Sequence, residues 1–400
     1  MDALRDGWEK KFELWFAPFD EAFRHKTRRV WAPLYVRGLI APGDRKSVEP
    51  MAARIAPRET EQLHHFVATS KWETAPIEEA LYDKADALVG GDDAFLIVDD
   101  TALPKKGTES VGVAHQYCGA LGKQANCQSL VSLTLARGEV PVPVALRLYL
   151  PEAWANDPAR RAKAKVPESV GFRPKWKIAL EEIKRVREHG VSFGAVLADA
   201  GYGACAEFRR GLSEMQVAWA VGIQSTQLVY PEHARVRVPR ASAKGGRPRT
   251  RGVPTHVRRS VKAVIAQLGD EAWQTVTWRS GTKGALKADF AAVRVCVADG
   301  DKTTDGVHLP GEPAWLVAER RGEGVFKYYL TNNAEGADLT TLAASIKARW
   351  SCELAHQQMK EELGLDHFEG RSWHGLHHHA VLTMVAFAFL QHHRVRAKKD

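Results

Sequence analysis

Residues 94–100 read AFLIVDD, a short apolar run that ends in the carboxylates of Asp99 and Asp100. An apolar run of this length is typical of a strand that is buried on both faces. A second run at residues 193–203, FGAVLADAGYG, ends in Asp199 and a glycine-containing turn. Acids at strand ends often only cap turns, and that alternative stays open for each acid alone. Acids at the ends of two such strands are more typical of a shared site.

The segments around these runs predict a mixed α/β sheet. Residues 128–151, QSLVSLTLARGEVPVPVALRLYLP, predict two strands joined near Arg137 and Gly138. Residues 174–190, PKWKIALEEIKRVREHG, predict a helix that begins at Pro174 and has Gly190 as its capping glycine. Residues 217–224, VAWAVGIQ, predict a further buried strand. Strands that alternate with helices in this way indicate an α/β fold with helices flanking the sheet.

The chain divides by composition into five expected segments. Residues 1–90 have aromatic residues at helical spacing and predict a helical N-terminal domain, in which the cationic cluster at residues 24–29 either contacts DNA phosphates or is solvated. Residues 91–224 and 339–390 form the two parts of the α/β core, and residues 225–338 are a β-rich insertion. Residues 391–400 are a basic tail.

The insertion contains a strongly basic stretch. Residues 235–262 contain ten Lys or Arg residues and no acid. A solvated loop is the simpler interpretation, and an arm that becomes ordered on a phosphate backbone is the one that we favour. The expected DNA contacts in this arm are Arg247, Arg249, Arg251, Arg258 and Arg259.

Residues 349–360, RWSCELAHQQMK, predict a helix that continues one beginning at Leu339. At 100° per residue, Arg349, Glu353 and Lys360 fall on one face, with His356 beside them. A solvated face with an ion pair four residues apart is the alternative, although Arg before Glu is the poorer orientation for such a pair.

Glu353 would supply a third carboxylate to Asp199 and to Asp99 or Asp100. Mg²⁺ prefers oxygen ligands, and two such ions promote phosphodiester cleavage. We therefore expect two Mg²⁺ ions, for which Mn²⁺ can substitute. Arg349 and Lys360 are expected to bind DNA phosphates, assisted by Lys105 and Lys106.

The same residues carry a resemblance to a known family. Arg349, Glu353 and Lys360 have the spacing R-x3-E-x6-K, and Asp99-Asp100-Thr101 offers a D-x-T context. Over residues 90–390 the chain resembles the bacterial insertion-sequence transposases of the DDE type, whose signature is Y-x2-R-x3-E-x6-K. Ile346 stands at the tyrosine position of that signature, which is a departure. The first acid of this family commonly lies in a D-x-T context, so the resemblance implies Asp99 as the first metal ligand and Asp100 as the fallback.

The resemblance implies a ribonuclease-H-like catalytic core and cut-and-paste movement of DNA. It also implies that transposon-end DNA and target DNA are the partners, with a homodimer in the synaptic complex. A related nuclease that does not join DNA, and a domesticated DNA-binding protein without catalysis, remain as alternatives.

Composition and motifs exclude several other classes. The net charge of +9 permits an acidic partner, and no apolar run is long enough to span a membrane. Five scattered cysteines without C-x-x-C spacing indicate a reducing cytoplasm, where we expect the protein to associate with the bacterial nucleoid. Residues 201–206, GYGACA, match G-x-G-x-x-A after a strand but lack the acid that a dinucleotide site needs about twenty residues further on, and GALGK lacks the spacing of a P-loop. The consecutive histidines His377, His378 and His379 point around a helix and cannot all face one ion.

Overall fold

The computed structural model describes residues 2–239, 252–281, 284–322 and 325–397. The chain forms two compact units, which are described separately below. One unit contains Met1–Gly194 and Trp350–Asp400, and the other contains Ala195–Arg349.

Helices make up the N-terminal part of the first unit, as the aromatic spacing predicted. They are α1 (Asp2–Ala22), α2 (Lys26–Ile40), α3 (Val48–Ile55), α4 (Thr60–His64), a π-helical turn (His65–Thr69) and α5 (Ala75–Val89). The aromatic residues recur at this spacing because they fill the core: Phe12 and Trp15 are buried and their rings contact the ring of Phe389.

The strands of the first unit pair in an antiparallel manner around one central strand. They are β1 (Gly91–Pro104), β2 (Ala114–Cys118), β3 (Lys123–Arg137) and β4 (Val140–Leu148). Strand β3 pairs with each of the other three, and its side chains from Cys127 to Ala136 are all buried. Burial on both faces explains why this stretch has no charged residue, although Gln128, Ser129, Ser132 and Thr134 are buried polar members of it.

Helices α6 (Glu152–Ala155), α7 (Pro158–Lys163) and α8 (Lys175–Glu188) follow these strands. Helix α8 begins after Pro174, and Gly190 has a φ of +99°, a conformation that glycine adopts without a steric penalty. The expected boundaries of this helix are confirmed.

A buried ion-pair network fixes α5 and α8 against β4. Arg147 of β4 lies 2.5 Å from Glu78 and 2.9 Å from Glu182, and Arg185 lies 2.6 Å from Glu78. Only 1% of the Glu78 side chain is exposed. A charge buried to this degree is tolerated because it is paired, and removal of its partner costs about 3–5 kcal/mol.

The second unit contains a mixed sheet. Its strands are β5 (Phe193–Ala198), β6 (Ala218–Ile223), β7 (Leu228–Pro231), β8 (Val236–Arg237), β9 (Val253–Pro254), β10 (Arg259–Ser260), β11 (Gln274–Gly281), β12 (Gly284–Val297), β13 (Pro313–Arg321) and β14 (Val325–Thr331). Its helices are α9 (Ala200–Gly203), α10 (Ala206–Glu214), α11 (Val261–Ile265) and α12 (Leu339–Lys347).

The strand order in this sheet is β10-β7-β12-β13-β14-β6-β5, with β11 paired to β12. Strands β5 and β6 are parallel, and the other pairs in this order are antiparallel. Residues 225–338 contain the strands β7 to β14. The α/β class with flanking helices is confirmed.

Two helices complete the first unit: α13 (Trp350–Glu361) and α14 (Trp373–Ala397). The prediction of one continuous helix from Leu339 to Lys360 is wrong, since Ala348 and Arg349 form a turn between α12 and α13. Alanine and arginine are both strong helix formers, so local propensity gives no sign of this break. Among the described residues, no helix is both long and apolar enough to cross a membrane.

Candidate functional site

Asp99 lies in β1 directly opposite Ser132 of β3. Its side chain is half-buried, and its Oδ1 accepts a 2.8 Å hydrogen bond from the backbone N–H of Asp100. The Ser132 hydroxyl lies 3.0 Å from the backbone carbonyl oxygen of Asp99, to which it donates. Pairing in the middle of the sheet therefore fixes the backbone that carries this carboxylate.

Asp100 forms an ion pair with helix α8 of the same unit. Its Oδ2 lies 2.6 Å from the Lys175 ammonium at the start of α8. Successive side chains of a strand point to opposite faces, so Asp99 and Asp100 cannot serve the same site equally well. The ion pair favours Asp99 as the first functional acid and Asp100 as a structural one.

Helix α13 packs Cys352 and His356 beside Asp99, a grouping that the sequence analysis missed. The Nε2 atom of His356 lies 2.8 Å from the Ser132 hydroxyl and 3.5 Å from the Cys352 sulfur. Ligand atoms of Asp99, Cys352 and His356 all lie within 4.8 Å of one another. The spacing of four residues between the cysteine and the histidine was the available signal, because it places both on one helix face.

Glu353 is an exposed residue in the first turn of the same helix, one position after Cys352. Lys360 is half-buried near its C-terminal end. Burial lowers the pKa of the Lys360 ammonium, while the charges of Asp366, Cys118 and Asp99 act in the opposite direction. Lys360 is thus close enough to Asp99 for their charges to interact. Arg349 lies in the turn before α13, whereas the spacing predicted it within that helix.

Asp199 directly follows β5 and forms the N-cap of α9. Its Oδ1 accepts hydrogen bonds from the backbone N–H groups of Gly201 (2.9 Å) and Tyr202 (3.3 Å). The alternative left open by the sequence, that Asp199 caps a turn, is therefore confirmed. The cap also orients the carboxylate, because two N–H donors fix the position of Oδ1.

Gly203 allows α9 to approach β6 closely. A Cβ atom at this position would lie 1.9 Å from the carbonyl oxygen of Gly222. No side chain fits there, so glycine at this position determines where the Asp199 turn sits on the sheet of its unit.

The residues expected to bind DNA occupy different environments. The Lys105 ammonium donates to the carbonyl oxygens of Phe368 (2.8 Å) and Asp366 (3.4 Å), and burial lowers its pKa. Lys106 is exposed. In the second unit, Arg258 is half-buried and Arg259 is exposed, whereas Arg247, Arg249 and Arg251 lie outside the described residues.

The histidine run on α14 has a structural role. His379 Nε2 lies 3.0 Å from the carbonyl oxygen of Gly364 and its Nδ1 lies 2.9 Å from the Tyr35 hydroxyl. His377 Nδ1 lies 2.9 Å from the carbonyl oxygen of Trp373. The ring of His378 stacks on the indole of Trp72 at 3.7 Å. These side chains are buried and hydrogen-bonded, in agreement with the rejection of a metal site made of consecutive histidines.

Comparison with known proteins gives two findings. The chain is 28% identical over 193 residues to a protein named as the probable transposase for insertion sequence element IS701, from Microchaete diplosiphon. That alignment covers 48% of this chain and 48% of the relative, so the match spans about half of the relative's length.

The second finding covers a larger part of the chain. The sequence model for DDE superfamily endonucleases matches residues 18–285, a range that contains Asp99 and Asp199 and ends before Glu353. The apolar runs before Asp99 and Asp199 thus lie inside the matched range. The prediction that Asp99 and Asp100 end their strand is wrong, because pairing with β3 continues β1 as far as Pro104. The chain belongs to the family of DDE superfamily endonucleases.

Proposed function

We propose that the chain is a DNA transposase that cuts DNA at transposon ends and transfers the freed strand into target DNA. The observation that carries the proposal is the position of Asp99. This acid lies within the range matched by the DDE endonuclease model and directly follows the apolar residues of β1. Helix α13, which also carries Glu353, packs beside it. The resemblance of residues 349–360 to the R-x3-E-x6-K signature adds the third acid.

The proposed metal ligands are Asp99, Asp199 and Glu353. All three offer carboxylate oxygens, which are the donors that Mg²⁺ prefers, and each is half-buried or exposed and so within reach of solvent and substrate. The donor set therefore fits Mg²⁺. When bound, two Mg²⁺ ions would activate a water or a 3′-hydroxyl and would stabilise the leaving oxygen.

The protein's own residues orient these ligands and the substrate. The antiparallel pairing of β1 with β3 holds Asp99, and the N-cap hydrogen bonds of α9 hold Asp199. We assign the binding of DNA phosphates near the site to Arg349, Lys360 and Lys106. The basic arm with Arg258 and Arg259 would bind the DNA backbone further away, since such contacts supply affinity without reading sequence.

The proposed partners are transposon-end DNA and target DNA. Two protomers would join in a synaptic complex, because two transposon ends must be cut and joined together. We further propose that the helices of residues 1–90 bind the transposon end, while the core carries out the chemistry.

The test uses the full-length chain with duplexes that carry the repeats flanking its gene, incubated with and without Mg²⁺. We expect Mg²⁺-dependent cleavage followed by joining to a target plasmid. The Asp199→Asn variant should bind the end duplex with wild-type affinity and should not cut it. A variant that still cuts would show that the assignment of Asp199 is wrong.

The family description favours a second candidate, a DNA endonuclease that does not join strands. Cleavage of the duplex without any joined product would support that candidate and exclude transposition. Binding without cleavage by the wild-type chain would exclude both enzymes and would indicate a DNA-binding protein that has lost catalysis.

A further inference from the structure

We propose that Asp99, Cys352 and His356 form a binding site for a thiophilic divalent ion such as Zn²⁺, and that this ion competes with Mg²⁺ for Asp99. The inhibitory part of this inference rests on the proposed function, and the metal-binding part does not. The three residues belong to one compact unit and to two packed elements, β1 and α13.

The donor set differs in kind from the carboxylates proposed for Mg²⁺. A thiolate, an imidazole and a carboxylate together are typical ligands of zinc, whereas Mg²⁺ binds oxygen almost exclusively. Open zinc sites often have three protein ligands and a water molecule in the fourth position. The three donor groups beside β1 supply such a set.

The distances fit a tetrahedral ion. With Zn–S of about 2.3 Å and Zn–N of about 2.0 Å, two such ligands lie roughly 3.5 Å apart at a tetrahedral angle. The Cys352 sulfur and the His356 Nε2 are separated by 3.5 Å. The Asp99 carboxylate offers an oxygen within 4.8 Å of ligand atoms of both residues, and binding of the ion would draw this oxygen closer to them.

The two ligands on α13 are held in place before any ion arrives. Cys352 is fully buried and His356 is 6% exposed, and both lie against β3. The Thr134 hydroxyl lies 3.4 Å from the Cys352 sulfur, and the Ser132 hydroxyl lies 2.8 Å from His356 Nε2. Binding of zinc would exchange the contact between His356 and Ser132 for a bond to the ion.

Zinc and Mg²⁺ would then compete for the carboxylate oxygens of Asp99. A zinc ion on Cys352 and His356 would hold the carboxylate on the buried face of α13, away from the exposed face that carries Glu353. Low concentrations of zinc should therefore reduce cleavage that depends on Mg²⁺, and chelation of zinc should restore it.

The first test measures metal binding alone. The full-length chain, freed of metal with a chelator and kept reduced with a phosphine, is titrated with Co²⁺ and then with Zn²⁺. We expect one equivalent of Co²⁺ to produce the near-ultraviolet charge-transfer absorption of a cobalt–thiolate bond, and one equivalent of Zn²⁺ to remove it.

Substitutions locate the ion. Cys352→Ser should abolish the charge-transfer absorption, and His356→Gln should retain it while weakening Zn²⁺ binding by at least about 10-fold, as expected for a lost ligand. Cys205→Ser is the matched control, since that thiol is half-buried in the other unit and is more accessible to adventitious ions. It should change neither property.

Two outcomes would overturn the inference: an unchanged cobalt–thiolate absorption in folded Cys352→Ser, or its loss in Cys205→Ser. Circular dichroism establishes that each variant is folded, and His356→Gln provides the test if Cys352→Ser does not fold. Zinc binding without any DNA cleavage by the wild-type chain would refute the proposed function and leave the site intact. DNA cleavage by a wild-type chain that does not bind zinc would refute the proposed zinc site and leave the proposed function intact.

Discussion

The Lys175 ammonium lies 2.6 Å from Asp100 Oδ2, whereas the adjacent Asp99 has its carboxylate beside Cys352 and His356. Two consecutive acids of one strand are thereby separated into different roles by the alternation of side chains along β1. The sequence offered both acids as the first metal ligand. The ion pair with α8 favours Asp99.

This separation predicts different effects for two matched substitutions. Asp99→Asn should reduce the rate of DNA cleavage by more than about 100-fold, because even partners in the outer shell of a metal ligand contribute 10–100-fold. Asp100→Asn removes only a partly exposed ion pair, worth about 1 kcal/mol or less, and should cut at nearly the wild-type rate. Single-turnover cleavage of an end duplex gives both rates. Equal losses in the two variants would refute the assignment of Asp99.

Gly203 offers a test of the Asp199 turn. Gly203→Ala places a Cβ 1.9 Å from the Gly222 carbonyl oxygen, so α9 must shift away from β6 and take the Asp199 N-cap with it. We expect cleavage to fall by at least about 10-fold, as for a displaced metal ligand, while affinity for DNA stays unchanged. Gly336→Ala in the same unit is the control, because its Cβ meets nothing within 4 Å. Wild-type cleavage by Gly203→Ala would show that the position of the turn does not matter for catalysis.

The buried histidines of α14 predict a loss of stability in acid. Burial lowers the pKa of His377 and of His379 to about 4, whereas an unfolded histidine has a pKa near 6.5. Between these values the unfolded chain binds protons that the folded chain does not, so the free energy of unfolding falls as the pH decreases from about 6.5 to 4. Each histidine contributes at most about 3 kcal/mol to this loss.

Urea unfolding at a series of pH values measures the slope of the free energy of unfolding against pH. His379→Asn should be less stable than the wild type at pH 7 and should lose less stability on acidification. A wild-type slope in His379→Asn would mean that folding does not lower the pKa of this histidine.

Lys105 and Lys106 are neighbours with different expected roles. Lys106 is exposed, so Lys106→Ala should weaken binding of end DNA and reduce the slope of log K against log salt by about 0.9, the value for one phosphate contact. Lys105→Ala leaves the Phe368 and Asp366 carbonyl oxygens without their donor. It should lower the free energy of unfolding by about 1–3 kcal/mol. Fluorescence anisotropy over a range of salt, combined with urea unfolding, separates the two effects.

Much of the fold was predictable because the signals are local and strong. The apolar runs before Asp99 and Asp199 identified β1 and β5, and Pro174 with Gly190 marked α8. The aromatic spacing of α1 predicted a helix that packs into a core. In each case the periodicity of the sequence and the burial in the structure agree.

The site was less predictable because it depends on contacts between distant segments. The turn at Ala348 and Arg349 interrupts a run of good helix formers, so helical spacing alone placed Arg349 inside a helix that begins one residue later. In the sequence Cys352 is only one of five scattered cysteines. Its spatial neighbours Asp99 and Ser132 are more than 200 residues away in the chain, so no local pattern connects them. Only tertiary packing brings these residues together.

The discontinuity of the first unit, made from residues 1–194 and 350–400, has a consequence for biosynthesis. At about 5–20 residues per second, the ribosome needs about 10–40 s to translate the 203 residues from 195 to 397, which follow the first segment of this unit and end with α14. During that interval the nascent chain exposes the apolar surface that α14 later covers. A nonsense mutation upstream of Trp373 should therefore yield an insoluble fragment rather than a truncated nuclease, so that an inactivated gene copy leaves no stray cutting activity in its host.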